Sequence, residues 1–219
     1  MPLRDSSEVA VWRTRVRSEL IAARVALPEA QRRERAATIV RLLEAALARL
    51  PAGAIAFCWP YRGEADVRPA IRTLRERGAT AALPVVMAKA APLAFRRWQP
   101  GVAMVEGPLG IPAPRDTAFV VPDVALVPLV GFDAQGYRLG YGGGYFDRTL
   151  AALGRKPVTV GVGFEVARLP TIHPQPHDIP MDFIVTEAGI RQVDRGGLHA
   201  LDADVAAERV RELAASRGR

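Results

Sequence analysis

Apolar and polar positions along this chain follow two rhythms. Over residues 8–27, Val16, Leu20, Ala23 and Leu27 return at helical spacing, which predicts a helix with one packed face. The segment LPEAQRRERAATIVRLLEAALARL continues that spacing, with Pro28 near its first turn and Pro51 and Gly53 ending it. GAIAFCW is then a short continuous apolar run, the mark of a strand buried on both faces. RPAIRTLRERG returns to helical spacing and closes at Gly78. Strand-like runs follow in TAALPVV, LAFRRW, VALVPLVGF, VTVGVGF and MDFIVTE, with a helix starting near Tyr145 between the third and the fourth. Residues 199–215 read as a terminal amphipathic helix with Val205, Val210 and Leu213 on its apolar side.

Strands separated by helices predict an α/β fold. The expectation is a single layered domain, Rossmann-like, with a mainly parallel or mixed central sheet flanked by helices. It spans residues 1–198, with 199–219 as a helical extension of the same domain. The Pro/Gly-rich stretch 100–116 reads as a loop inside the domain. Ligands of open α/β sheets bind beyond the carboxyl ends of strands, where the loops 59–66, 131–147 and 164–180 lie.

Composition narrows the function classes. A chain of 219 residues can bury one good core or at most two small ones. A net charge of +7 favours an anionic ligand. Arginines and acidic residues interleave without a basic block, so no nucleic-acid partner is expected. Nothing approaches the ~20 apolar residues of a membrane span, and the first residues lack the apolar run of a signal peptide. A cytoplasmic protein is expected, monomer or homodimer. Its single cysteine, Cys58, excludes an internal disulfide and falls in an apolar run as a small hydrophobe. His173 and His177 are spaced irregularly with no third partner, which argues against zinc.

The chemistry concentrates in GYRLGYGGGYFDR, residues 136–148, where Gly140, Gly142, Gly143 and Gly144 crowd between two tyrosines. A strand, a glycine loop and a helix in succession offer free backbone N–H groups and a helix N-terminus to an anion. Arg138 can neutralise phosphate oxygens with its planar fork. Asp147, just inside the helix, can hold a cation or simply favour the helix dipole. On the first helix, Arg13, Arg17 and Arg24 fall within about 40° of one another, beside the apolar stripe. Arg13 and Arg17 suit a groove that binds phosphate; Arg24 reads better as part of a solvated face.

The string LVPLVGFDAQGYRLGYGGGYFDRTL closely resembles the signature of the 5-formyltetrahydrofolate cyclo-ligase family, also called 5,10-methenyltetrahydrofolate synthetases. Similarity extends over residues 9–187, through WPYRGEADVRPAI and LPTIHPQPHDIPMDFIVTE. The resemblance implies an ATP- and Mg²⁺-dependent enzyme whose substrate is 5-formyltetrahydrofolate and whose products are 5,10-methenyltetrahydrofolate, ADP and phosphate. The formyl oxygen would be phosphorylated and then displaced by N10. It further implies that Arg13 and Arg17, with Arg138, Leu139, Gly140, Tyr141, Gly142, Gly143, Gly144, Tyr145 and Phe146, line the ATP phosphates. Tyr141 to Tyr145 would also face the folate, together with Trp59 and Glu64, the latter holding the pterin. Arg138 and Tyr145 would serve catalysis, and Asp147 and Asp178 would ligate the metal. Some family members carry lysine where this chain has Gly143, which leaves Arg138, Arg148 and the N-terminal arginines to supply that charge.

Overall fold

The computed structural model describes residues 6–218. The chain opens with two helices, α1 (Ser6–Ala26) and α2 (Glu29–Ala46), divided at Pro28, whose φ of −51° suits a helix start but whose ring admits no preceding helical turn. Next come β1 (Ala54–Ala56), α3 (Arg68–Glu76), β2 (Thr80–Val86) and β3 (Leu93–Arg97). A small hairpin of β4 (Met104–Glu106) and β5 (Pro112–Pro114) interrupts before β6 (Val124–Pro128). The stretch expected to be a plain loop therefore forms paired backbone.

The long run VALVPLVGF divides. After β6 the chain turns at Leu129–Val130 and enters β7 (Gly131–Asp133), which pairs with β8 (Arg138–Leu139) and β10 (Arg168–Leu169) in a separate three-stranded sheet. Between these lie α4 (Tyr145–Ala152) and β9 (Val158–Val162). The chain finishes with β11 (Phe183–Thr186), β12 (Gly189–Asp194), β13 (Gly197–Leu201) and α5 (Ala203–Arg217). Residues 199–201, expected to begin the terminal helix, instead complete an antiparallel pair with β12. Asp202, extended at φ −67° and ψ 153°, marks where the helix takes over.

The main sheet has eight strands in the order β13-β12-β11-β9-β6-β1-β2-β3. Its five central strands are parallel, and antiparallel pairs extend both edges. Side chains alternate between two packed faces, as strand geometry requires. Ile55, Phe57, Val124, Leu126, Val158, Val160, Phe183 and Val185 join Ile39, Leu43, Ile71, Leu74, Ala206 and Val210 from α2, α3 and α5. Ala56, Ala82, Ala125, Val127 and Ile184 face the other way, with Phe95, Phe132 and Leu150. Burying such side chains stabilises by about 1.5–3 kcal/mol each for the larger ones.

Two consequences position the site. From β1 the sheet grows one way to β2 and the other way to β6, β9 and β11, so strand order reverses between β1 and β6. Crevices form beyond the carboxyl ends at such a point. The helix α1 packs on the small sheet instead of the large one: Val16, Trp12 and Leu20 meet Leu139, Ile172, Tyr137 and Leu169. That docking turns the helix into a wall of the crevice.

Candidate active site

A cavity of about 640 Å³ opens at the reversal point. Trp59, Tyr61 and Glu64 line it from the segment after β1, Pro128 from the end of β6, and residues 138–147 from β8, the glycine loop and α4. Arg13 and Arg17 enter from α1, and Asp178 from the loop before β11. All fifteen residues expected at the site therefore line one cavity. Val105 to Pro108 and Ile111 to Ala113 of the β4–β5 hairpin also border it. That wall was invisible in the sequence, where its prolines and glycines signalled only a loop.

Charges at one end are neutralised in pairs. Arg13 donates through Nη1 and Nη2 to Asp178, at 3.3 and 2.5 Å, and also to the carbonyls of Ile172 and His173. Burial opposes the charge on Asp178, but hydrogen bonds from Arg13 and the Gln175 amide outweigh it and hold its pKa below the usual range. Arg138 is buried, pairs with Asp147 at 3.0 Å and donates to Ile179 O. Burial lowers its pKa, against the pull of Asp147 and Asp178. Asp147 also accepts from the Ile179 amide, so α4 and the 173–180 loop are tied together through this pair.

Arg17 is different. Its Nε donates to Gly140 O at 2.6 Å, and among the described residues no carboxylate pairs with it. Burial, and then neighbouring Arg13, lower its pKa, so this cation sits uncompensated over the loop. Gly142 makes room for it, and Gly143 for the Tyr145 ring. Gly142 has φ +95°, and a Cβ there would lie 3.3 Å from the Arg17 Cζ. A Cβ at Gly143 would stand 2.7 Å from the Tyr145 ring. A lysine at 143 would thus displace Tyr145; in this chain Arg17 brings positive charge over the loop from α1. Arg148 bonds Gly143 O and stacks on Tyr145.

The opposite end is built around one carboxylate. The Tyr141 hydroxyl donates to Glu64 Oε1 at 2.6 Å, and Glu64 Oε2 accepts from the Tyr61 amide. Burial raises the pKa of Glu64 in spite of Tyr141, Arg24 and the Tyr61 amide, and burial with Glu64 nearby raises that of Tyr141. Cys58 lies close by; burial, then Glu64, push its thiol up, away from thiolate chemistry. Trp59 stacks under Arg68 and edge-on to Trp98. Trp98 itself belongs to a different groove, with Arg75 and Arg97.

Arg24 overturns an expectation. It is 5% exposed and bonds Arg62 O, Leu129 O and the Tyr141 hydroxyl, so it is no part of a solvated face. Ala23, expected in the apolar stripe, is exposed in its stead. The signal was present: Arg24 shares a helical face with Arg13 and Arg17, and all three point the same way.

Comparison with known proteins agrees with this geometry. The model of the 5-formyltetrahydrofolate cyclo-ligase family matches residues 9–187. The chain is 30% identical to the 5-formyltetrahydrofolate cyclo-ligase of Haemophilus influenzae over 77% of its length and 94% of the relative's. Identity to the Escherichia coli K12 cyclo-ligase is 34%, over 59% of this chain and 75% of that one. The solved structure of Aquifex aeolicus 5,10-methenyltetrahydrofolate synthetase superposes with a TM-score of 0.68 at 28% identity, covering 87% of this chain and 96% of the other. The match spans α1, the segment after β1, the glycine loop and the loop bearing Asp178, and on that ground the chain belongs to the 5-formyltetrahydrofolate cyclo-ligase family.

Proposed function

We propose that the cavity holds ATP and folate side by side and carries out the family's reaction, the ATP-dependent conversion of 5-formyltetrahydrofolate to 5,10-methenyltetrahydrofolate. Closing a ring from N10 onto the formyl carbon requires the formyl oxygen to leave, and an amide oxygen is a poor leaving group. Transfer of a phosphoryl group to it allows departure as phosphate, which carries away that oxygen and the N10 proton. Such a reaction needs positioning and charge neutralisation above all.

The unpaired guanidinium of Arg17 above the glycine loop is the observation that carries this reading. It suits the triphosphate, with the backbone of Leu139 to Phe146 lining the same path and Arg13 and Arg138 close by. Glu64 offers the pterin a carboxylate for paired N–H donors, and Trp59 borders that end. Tyr145, at the first turn of α4, borders the cavity and would face the formyl oxygen and the γ-phosphate. Arg138 would stabilise the charge that develops during transfer.

Magnesium, when bound, neutralises phosphate oxygens. The donors present fit it. Oδ1 of Asp147 is committed to Arg138 and Ile179, whereas its Oδ2 accepts no hydrogen bond among the described residues. Asp178 has both oxygens engaged with Arg13 and Gln175, and would join as Arg13 turned towards phosphate. No cluster of three or more His, Cys, Asp or Glu able to hold a metal exists among the described residues. Magnesium usually keeps several waters and takes one or two carboxylates plus phosphates, so two suffice.

Among the described residues no helix is long and apolar enough to cross a membrane. ATP dependence accords with work in the cytoplasm. The direct test mixes purified protein with ATP, Mg²⁺ and 5-formyltetrahydrofolate and follows methenyl absorbance. ATP-dependent product is expected; its absence would contradict the reading.

A further inference from the structure

Neither helical spacing nor the reaction explains why an arginine is buried at position 24. It donates Nε to Arg62 O at 3.0 Å, Nη1 to Leu129 O at 3.3 Å and Nη2 to the Tyr141 hydroxyl at 2.6 Å. No carboxylate pairs with it directly among the described residues. A phenol oxygen that accepts from a guanidinium must aim its own proton elsewhere, and here it goes to Glu64 Oε1 at 2.6 Å. The groups facing Glu64 are therefore Arg24 from α1, Tyr141 from the glycine loop, and Cys58 with the Tyr61 amide from the segment after β1.

We propose that Arg24 is a positioning residue for folate recognition, acting through the Tyr141 hydroxyl to fix the Glu64 carboxylate as an acceptor for the pterin N–H groups. This rests on the reading of Glu64 as the pterin acceptor. A buried guanidinium needs a counter-charge, and across the phenol that charge is Glu64. Burial favours the neutral acid at Glu64, while Tyr141 and Arg24 favour the anion. A protonated Glu64 would keep one acceptor oxygen and lose the paired contact. Removing either brace raises the pH at which folate binding fails.

The test is calorimetric titration of 5-formyltetrahydrofolate without ATP, from neutral to mildly acidic pH, on the full chain and on Arg24→Met, Tyr141→Phe and Glu64→Gln. Arg24→Met and Tyr141→Phe should each weaken folate binding roughly tenfold, the size of a lost hydrogen bond to a charged group. Both should shift the acid limb of binding to higher pH, Arg24→Met should leave ATP binding within about threefold, and their double variant should be little worse than either alone. Folate affinity and acid limb unchanged in both single variants would overturn the inference. So would a loss of thermal stability with no change in folate affinity. Should Arg24→Met fail to fold, Tyr141→Phe decides by the same criteria. If Glu64→Gln weakens binding but the two braces do not matter, this inference alone falls. If Glu64→Gln binds normally, the pterin reading falls with it.

Discussion

The two ends of the cavity handle charge in opposite ways. At the glycine-loop end, Arg13 and Arg138 each lean on an aspartate while Arg17 stands without one. At the Glu64 end a single carboxylate is held at both oxygens, by the Tyr141 hydroxyl that Arg24 braces and by a backbone amide. The first arrangement can exchange partners when an anion arrives. The second is fixed before any ligand enters, so ordering it costs little on binding. A triphosphate brings its own charge and flexibility; a flat pterin needs acceptors already aimed.

Four variants and one titration would break or sharpen this contrast. The largest effect should come from Arg17→Ala: kcat/KM for ATP should fall about 100-fold, near the upper range for a charge-assisted hydrogen bond. Folate KM should stay within a few-fold, and steady-state kinetics with each substrate varied would show the split. Glu64→Gln should raise folate KM roughly tenfold with little change for ATP, because an amide keeps one acceptor and loses the charge. In the native protein, folate affinity should be full above the Glu64 pKa and fall as pH drops through it. Since burial raises that pKa, the loss should begin at a higher pH than for an ordinary glutamate. An acid limb at the ordinary position would mean that Glu64 does not contact the ring.

Gly143→Ala should cost about tenfold in kcat by pushing the Tyr145 ring from its place, since real Cβ atoms do not approach to 2.7 Å. The smallest effect belongs far from the cavity. Arg217 on α5 holds Asp182 at 2.7 and 2.8 Å, and Arg217→Ala should lower stability by about 1 kcal/mol, a few degrees in Tm. Both Michaelis constants should be untouched, and a change in either would tie α5 to the site.

Much of this was legible in the residues, for identifiable reasons. Buried parallel strands announce themselves as unbroken apolar runs, and the first five residues of VTVGVGF form β9 with every one of them buried. The glycine loop was legible because its composition is too costly for a connector. VALVPLVGF misled because an apolar run carries no mark of where it changes sheet; Leu129 and Val130 are as buried as their neighbours. The β12–β13 hairpin was missed since its edge strands are partly exposed and polar. Arg24 was misjudged because charge argues for solvent, and only tertiary structure reveals the three oxygens that receive it.

A structure of the protein with a non-hydrolysable ATP analogue and 5-formyltetrahydrofolate bound together tests the central claim most directly. The expected result has triphosphate oxygens within hydrogen-bond reach of Arg17 and the glycine-loop amides, and the pterin N–H groups on Glu64, with the Arg24–Tyr141–Glu64 chain intact. Phosphates bound away from Arg17, or a pterin turned away from Glu64, would contradict it.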